Sequence, residues 1–218
     1  MTVQRTDASG RVRVENLVTS GTFSLDGGTW EVDNNVWILG DDSECVIIDP
    51  AHDAQAVLDA VAGRTVGAIL LTHGHDDHIR AVRGVADATG APIYLHPDDT
   101  MLWEVVHPGR PVDGSLGDGQ ELTVAGATLR VLHTPGHSPG GCCLHLVDEG
   151  VLFSGDTLFN GGPGATGRSF SDRSVLVRSI ADRLLDLDDR TVVHTGHGDD
   201  TTIGAEAAGV RQALDETA

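Results

Sequence analysis

Positive charge is scarce in this chain of 218 residues, and lysine is missing altogether. All 14 basic residues are arginine, against 33 acidic residues, so the formal net charge is −19. A surface with this charge repels phosphate backbones and anionic membranes. We therefore expect neither a nucleic acid nor a membrane as a partner.

Signals for export and for membrane insertion are also lacking. Residues 1–7 lack the apolar core of a signal peptide, and no stretch approaches the roughly 20 apolar residues of a membrane span. The three cysteines, Cys45, Cys142 and Cys143, are odd in number and lie in apolar runs, so no disulfide framework is expected. The sequence predicts a cytoplasmic protein with reduced cysteines.

Aromatic residues make up only 4% of the chain, whereas the apolar share is 39%. The core should therefore consist mainly of aliphatic side chains. The sequence contains no linker rich in proline or serine, and its length requires no second domain. We expect a single domain over residues 1–218.

The order of apolar patterns predicts a layered α/β fold. β-like runs dominate residues 12–48 and recur over residues 121–153. Apolar residues occur at helical spacing in four further segments, 54–62, 77–89, 171–187 and 202–214. Two β-rich halves with helices predict two sheets packed face to face with helices outside, which is an α/β/β/α sandwich.

The segment from His73 to His78 contains four potential metal ligands in six positions, directly after an apolar strand-like run. Neutral imidazole and carboxylate are the usual ligands of zinc and similar ions. The alternative is a solvated loop whose histidines have no common role. Because packing does not explain such a cluster, the segment predicts a metal site.

Three more potential ligands follow predicted strands. His137 lies in a Thr-Pro-Gly-His turn, Asp156 follows a short apolar run, and His197 lies between two glycines. His133 precedes the same turn as His137 and fits a packed or hydrogen-bonded neighbour better than a ligand. Strand ends that carry such residues indicate a site built on loops at one edge of the sandwich.

The remaining histidines lie outside this pattern, and a structural or surface role is expected for each of them. They are His52, His96, His107, His133, His145 and His194. His194 lies three positions before His197 and could contact a ligand from outside.

The chain resembles the metallo-β-lactamase superfamily over nearly its whole length, and within it the glyoxalase II-like hydrolases. The motifs that carry the resemblance are His73-x-His75-x-Asp77-His78, Thr-Pro-Gly-His137, Gly-Asp156-Thr-Leu-Phe and Gly-His197-Gly, in the family's order. The resemblance implies the four-layer fold of that family.

The resemblance also implies a two-metal centre. The implied ligands are His73, His75 and His137 for one ion, Asp77, His78 and His197 for the second, and Asp156 as a bridge between them. Asp49, in Ile-Ile-Asp-Pro, would support the ligand loop without binding metal. Zinc is the expected metal, although ligands of this kind also accept iron or manganese.

The implied reaction is hydrolysis, in which a hydroxide that bridges the two metal ions attacks a carbonyl carbon. Asp77 would be the catalytic residue that orients the water and relays a proton. The expected substrate is a small molecule, most simply a thioester of a low-molecular-weight thiol. Asp156 as a bridge argues against the β-lactamases of the superfamily. From the length of 218 residues we expect no C-terminal helical extension of the kind that binds glutathione in full-length glyoxalase II.

Three alternatives stay open from the sequence. A mononuclear iron persulfide dioxygenase would use only two histidines and the aspartate, although His75 stands where oxygen-reducing di-iron relatives tend to have glutamate. A lactonase would use the same hydroxide on a cyclic ester. A non-catalytic metal-binding module is the third alternative.

Arg168 is the only charged residue of the glycine-rich segment 159–168, which follows Asp156 and should lie near the mouth of the site. Its guanidinium either anchors a polar or acidic group of the substrate or forms an ion pair with one of many nearby carboxylates.

Overall fold

The first half of the chain forms a mixed six-stranded sheet in the computed structural model, which describes residues 12–217. Its strands, in both chain and spatial order, are β1 (Arg13–Leu25), β2 (Gly28–Gly40), β3 (Glu44–Ile48), β4 (Thr65–Leu70), β5 (Ile93–Leu95) and β6 (Gly114–Ser115). Strands β1 to β3 pair antiparallel, and β3 to β6 pair parallel. Asp26 (φ 53°) and Gly27 (φ 77°) turn β1 into β2, since both positive φ values suit the right-handed twist of a tight hairpin.

Four short helices connect the strands of this first sheet. They are α1 (Ala54–Val61), α2 (Asp76–Ile79), α3 (Val82–Thr89) and α4 (Thr100–Val106), the last preceded by a 3₁₀ turn at Pro97–Asp99. Asp53 caps α1 because its carboxylate accepts a hydrogen bond from the Ala56 amide.

The second half forms a second six-stranded sheet and two longer helices. The elements are β7 (Glu121–Val124), β8 (Ala127–His133), β9 (Cys142–Leu146), β10 (Val151–Gly155), β11 (Leu158–Phe159), β12 (Gly162–Pro163), α5 (Arg173–Arg183), β13 (Val192–Thr195), β14 (Thr201–Thr202) and α6 (Ile203–Thr217). The spatial order in the sheet is β14-β13-β10-β9-β8-β7, while β11 and β12 pair only with each other.

Three apolar layers hold the two sheets and the helices together. Neighbouring residues of a strand face opposite sides of its sheet, so Ile47 packs towards the helices and Ile48 towards the other sheet. In the second sheet, Phe153 joins the layer between the sheets and Leu152 packs under α5 and α6. Each fully buried side chain of this size stabilises the fold by about 1.5–3 kcal/mol. The predicted α/β/β/α sandwich is confirmed.

The predicted helix over 77–89 is wrong in one respect, because the chain forms two helices separated at Arg80 and Ala81. In a continuous helix the carbonyl of Ile79 would accept from the amide four residues later. Here it accepts a hydrogen bond from Nε2 of His107, which satisfies the carbonyl at the break (2.8 Å).

Helix α4 was not predicted at all. Among residues 12–217, no helix is long and apolar enough to cross a membrane.

Candidate metal centre

The seven predicted ligands converge, although they come from four separate loops. His73 and His75 follow β4, and Asp77 and His78 lie in α2, which is a single turn. The other three follow strands of the second sheet: His137 after β8, Asp156 after β10 and His197 after β13. The site therefore joins the edges of the two sheets.

The donor atoms form two groups of three. In the first, which we call the His73 group, one donor atom each of His73, His75 and His137 lies within 4.8 Å of the other two. The second, the His197 group, brings together Asp77, His78 and His197 within the same limit. Each group has the size and the ligand types of a binding site for one transition-metal ion.

Asp156 lies between the two groups. Its Oδ2 is 3.5 Å from Nε2 of His137 in the His73 group and 3.4 Å from Nε2 of His197 in the other. Its Oδ1 is 3.3 Å from Nε2 of His78. A carboxylate in this place can contribute one oxygen to each group.

The imidazole rings of four ligands are fixed by hydrogen bonds at their outer nitrogen. Nδ1 of His137 lies 2.8 Å from the Ala165 carbonyl, and Nδ1 of His197 lies 2.7 Å from the Asp33 carbonyl. Nδ1 of His78 lies 3.0 Å from Asp49 Oδ2, and Nδ1 of His73 lies 3.0 Å from Thr72 Oγ1. Because these oxygens accept the Nδ1 proton, Nε2 is the nitrogen that each ring turns to the interior of the cluster.

The interior of the cluster has donor atoms without hydrogen-bond partners. The buried Nε2 of His73 makes no hydrogen bond with any described residue, and the buried Oδ1 of Asp156 has only the Nε2 of His78, at 3.3 Å and poorly aligned. Nδ1 of His75 and Nε2 of His137 face each other at 2.9 Å, as two lone-pair donors would around a cation. Buried polar atoms are rarely left without a partner. The residues therefore fit a pair of metal ions.

The electrostatics of the cluster favour positive charge. Burial lowers the pKa of His75 to about 3, so this imidazole is neutral as a ligand must be. Burial also lowers the pKa of His197, but the carboxylates of Asp156 and Asp77 outweigh it and raise this pKa to about 10. Burial raises the pKa of Asp77, yet the neighbouring histidines lower it to about 2. At neutral pH the carboxylates are ionised and draw a cation or a proton between them.

Asp49 supports the ligands from outside the cluster, at the place where the resemblance put it. Its carboxylate accepts the Thr72 amide (2.8 Å), the Thr72 hydroxyl (2.6 Å) and Nδ1–H of His78 (3.0 Å). One carboxylate thus ties the start of the ligand loop to a ligand ring.

Asn34 contacts the cluster and His52 contacts Asn34, and sequence reasoning placed neither of them there. The Asn34 amide donates to Oδ2 of Asp77 (3.1 Å), and its own carbonyl oxygen lies 2.8 Å from Nε2 of His52. The hydrogen bond from His52 fixes the amide so that its NH₂ faces Asp77. Neither residue stands in a metal-ligand motif, so no sequence signal connected them with the site.

A cleft opens above the cluster, and the β1–β2 hairpin forms one of its walls. The hairpin contributes apolar side chains, Phe23, Leu25, Trp30 and Val32. The opposite wall is the segment 165–171, which includes Arg168. The floor consists of His75, Asp77, His137, Asp156 and His197.

Arg168 lies in this cleft wall and not in an ion pair. Its guanidinium stacks 3.7 Å from the ring centre of Trp30 and 5.0 Å from that of Phe23. No carboxylate within residues 12–217 forms a salt bridge with it. The neighbouring Ser169 amide donates to Asp26 at the hairpin tip (2.9 Å), which joins the two walls. Of the two alternatives for Arg168, an ion pair thus has no salt-bridge contact among the described residues, although the Ser169 hydrogen bonds and the charge of Arg168 lower the pKa of Asp26.

Two other histidines lie near the ligand loops without joining the cluster. His133 stacks on His96 (4.0 Å between ring centres) and bonds to the Pro139 carbonyl (3.0 Å). His194 packs against Trp37 (4.2 Å) and bonds to Asp200 (2.9 Å). Both have the structural surroundings expected from the sequence.

Residues 29–197 match the family model of the metallo-β-lactamase superfamily, and the chain belongs to that superfamily. The hydroxyacylglutathione hydrolase GloC of Haemophilus influenzae is 34% identical over 184 residues, which cover 78% of this chain and 87% of GloC. The family recognised from the motifs is therefore confirmed.

Solved structures agree with this assignment. The B3 metallo-β-lactamase BLEG-1 is 37% identical with a TM-score of 0.73, and the match covers 87% of this chain and 97% of BLEG-1. The protein TTHA1623, solved in a di-iron-bound form, is 35% identical with a TM-score of 0.73, covering 81% of this chain and 93% of that protein. This chain is a metallo-hydrolase of the superfamily, whose fold typically holds two metal ions.

Proposed function

We propose that this protein is a dinuclear metal-dependent hydrolase of acyl thioesters, formed by a single domain. The observation that carries the dinuclear centre is the position of Asp156 between the His73 group and the His197 group. The His73 group would hold one ion and the His197 group the other, with Asp156 shared. Zinc is the metal we propose, and iron is the alternative because TTHA1623 was solved with two iron ions.

When bound, two such cations supply hydroxide near neutral pH and polarise the substrate carbonyl. The residues of this chain then position the reaction. Asp77 is 3% exposed and forms part of the cleft floor, and the Asn34 amide donates a hydrogen bond to its Oδ2. Because its pKa is about 2, Asp77 is a carboxylate at neutral pH and accepts a hydrogen bond from the attacking water.

The cleft lining favours a thiolate as the leaving group. Apart from the proposed ligands, the lining residues of the described chain are apolar residues, serines, a threonine and Arg168. None of these titrates near neutral pH, so no side chain is available to protonate a leaving amine or alkoxide. A thiolate leaves without such help. The similarity to GloC, which is named a hydroxyacylglutathione hydrolase, supports the same substrate class.

β-Lactam hydrolysis is the second candidate, because BLEG-1 matches 87% of this chain. Ring opening of a β-lactam breaks the amide C–N bond and expels the ring nitrogen, which needs a proton to leave as an amine, and the cleft offers no general acid outside the ligands. We therefore place thioesters before β-lactams.

A metal analysis joined to a substrate panel tests the proposal. The purified protein should contain two metal ions per chain and release free thiol from acyl thioesters faster than it opens a lactone or a β-lactam. One iron per chain with oxygen consumption on a persulfide would favour a dioxygenase instead. Faster cleavage of the β-lactam would move the function to the second candidate, and no turnover of any substrate would favour a non-catalytic module.

Replacing Arg168 by methionine tests its proposed contact with the substrate. Methionine keeps the contact with Trp30 but removes the charge. For a thioester with a carboxylate on its acyl group, we expect kcat/KM to fall about 10–100-fold, because a hydrogen bond to a charged group contributes about 1.5–3 kcal/mol. A thioester with a neutral acyl group should lose almost nothing.

Arg173→Met is the matched control, since Arg173 is an exposed arginine at the start of α5 that does not line the cleft. It should leave both substrates unaffected. An equal loss for the charged and the neutral substrate in Arg168→Met would show that Arg168 supports the cleft wall and does not bind a substrate carboxylate.

A further inference from the structure

Asp99 is a fully buried carboxylate that the metal-ligand motifs do not include. It is the last residue of the 3₁₀ turn that follows β5, and its side chain lies between two of the ligand loops. Oδ2 accepts hydrogen bonds from the Gly74 amide (2.8 Å) and the Ser138 hydroxyl (2.7 Å). Oδ1 accepts one from the Gly140 amide (2.6 Å).

These three donors adjoin the ligands of one metal position only. Gly74 lies between His73 and His75, and Ser138 directly follows His137. Asp99 therefore holds both chain segments of the His73 group. Asp49, in contrast, bonds directly to a ligand ring of the His197 group, since it accepts Nδ1–H of His78. Two buried carboxylates thus support the centre. Asp99 bonds to residues that adjoin ligands of the His73 group, whereas Asp49 bonds to a ligand ring of the His197 group.

Both loops approach Asp99 closely. A Cβ on Gly140 would lie 2.8 Å from Cγ and from the backbone nitrogen of Asp99, so only glycine fits there. A Cβ on Gly74 would lie 2.9 Å from Cβ of Leu102 and 3.1 Å from the Asp99 carbonyl oxygen. The contacts at Asp99 are therefore tight as well as polar. A carboxylate, which only accepts, matches three converging donors, whereas an amide of the same shape would turn its NH₂ towards at least one of them.

We propose that Asp99 is a positioning residue that sets the metal affinity of the His73 group without setting that of the His197 group. The inference rests on the proposed two-metal centre. The hydrogen bonds fix the segments on both sides of the cluster before a cation arrives, so that His73, His75 and His137 need no rearrangement to bind it. Hydrogen-bonded partners of ligands typically change metal affinity by about 10–100-fold.

Zinc affinities of single-site variants test this proposal. His197→Ala removes a ligand of the His197 group and leaves the His73 group intact, while His75→Ala does the reverse. Each protein is stripped of metal and titrated with Zn²⁺ against a chromophoric chelator. In the His197→Ala background, Asp99→Asn should weaken zinc binding by the His73 group about 10–100-fold. In the His75→Ala background, it should leave zinc binding by the His197 group unchanged.

Asp49→Asn is the matched control, a second buried aspartate changed in the same way. In the His75→Ala background it should weaken zinc binding, because Asp49 orients His78. Ser138→Ala removes one of the three hydrogen bonds to Asp99 and no charge. It should weaken zinc binding by the His73 group, as Asp99→Asn does, but by a smaller factor. If Asp99→Asn does not fold, Ser138→Ala alone tests whether Asp99 sets this affinity.

The proposal would be overturned if Asp99→Asn weakened zinc binding equally in both groups. It would also be overturned if zinc binding by the His73 group were unchanged in Asp99→Asn or in Ser138→Ala. If the unaltered protein binds fewer than two zinc ions per chain, the proposed two-metal centre fails instead. If zinc binding behaves as expected but no thioester is cleaved, the role of Asp99 stands and the thioester substrate is wrong.

Discussion

Asp156→Asn is expected to lower kcat/KM for the best thioester substrate by about 1,000-fold. This is the upper end of the effect of removing a group that stabilises charge in the transition state. The carboxylate of Asp156 lies within 3.5 Å of histidine nitrogens in both donor groups. Asparagine has nearly the same shape, but it carries no charge, and its NH₂ group faces one of the two groups. Metal content should fall below two per chain in the same sample.

Asp200→Asn is the control for this prediction. Asp200 pairs with His194 near the end of β13 and does not line the cleft. The change should alter kcat/KM by less than about twofold, as for most substitutions away from a site. Both variants should keep the circular dichroism spectrum of the unaltered protein. Two bound metal ions and an unchanged rate in Asp156→Asn would separate the metal centre from the active site.

The layers of the fold could be predicted because both faces of the central strands are buried. Ile47 and Ile48 of β3 belong to different apolar layers, so the strand reads as a continuous apolar run, and the next strand, β4, ends just before the first ligand loop. Helix α4 could not be predicted in this way. It has seven residues, too few for a helical pattern to stand out from the surrounding loop.

The ligands could be predicted because they combine a distinctive residue type with a position just after a strand. Asp49 was found only through the resemblance. Asn34 and Asp99 could not be recognised from residue type and position in this way. Each of them contacts the centre through a hydrogen bond to a residue more than 20 positions away along the chain. Contacts of this kind depend on how the two sheets pack, and one sequence does not report that.

The cleft wall formed by the β1–β2 hairpin could not be predicted from the sequence either. Phe23 and Trp30 face each other across the β1–β2 hairpin, where an aromatic pair is an ordinary way to stabilise two strands (ring centres 5.8 Å apart). Only the fold brings this hairpin over the ligands and stacks Arg168 on Trp30. The position of Arg168 near the mouth was predicted from its distance after Asp156, but its aromatic partners were not.

Gly196→Ala should cause a loss of activity approaching that of Asp156→Asn, although it changes no ligand. A Cβ at Gly196 would lie 2.2 Å from Oδ1 of Asp156 and 2.8 Å from Cε1 of His78. The backbone cannot retreat easily, because the Gly196 amide donates to the Gly155 carbonyl (2.9 Å) and its own carbonyl accepts the Asn35 amide (2.8 Å). The carboxylate has to move away from at least one donor group, and we expect kcat/KM to fall about 100–1,000-fold.

Gly198→Ala, two residues further along, is the matched control. A Cβ there meets nothing within 4 Å, although its φ of +68° makes alanine less stable at this position by about 1 kcal/mol. We therefore expect a lower melting temperature but nearly unchanged kcat/KM and two metal ions per chain. Gly196→Ala should show the opposite pattern, with metal content and rate reduced together. Full activity in Gly196→Ala would mean that Asp156 has room to move without consequence, and hence that its position between the two groups does not set the rate.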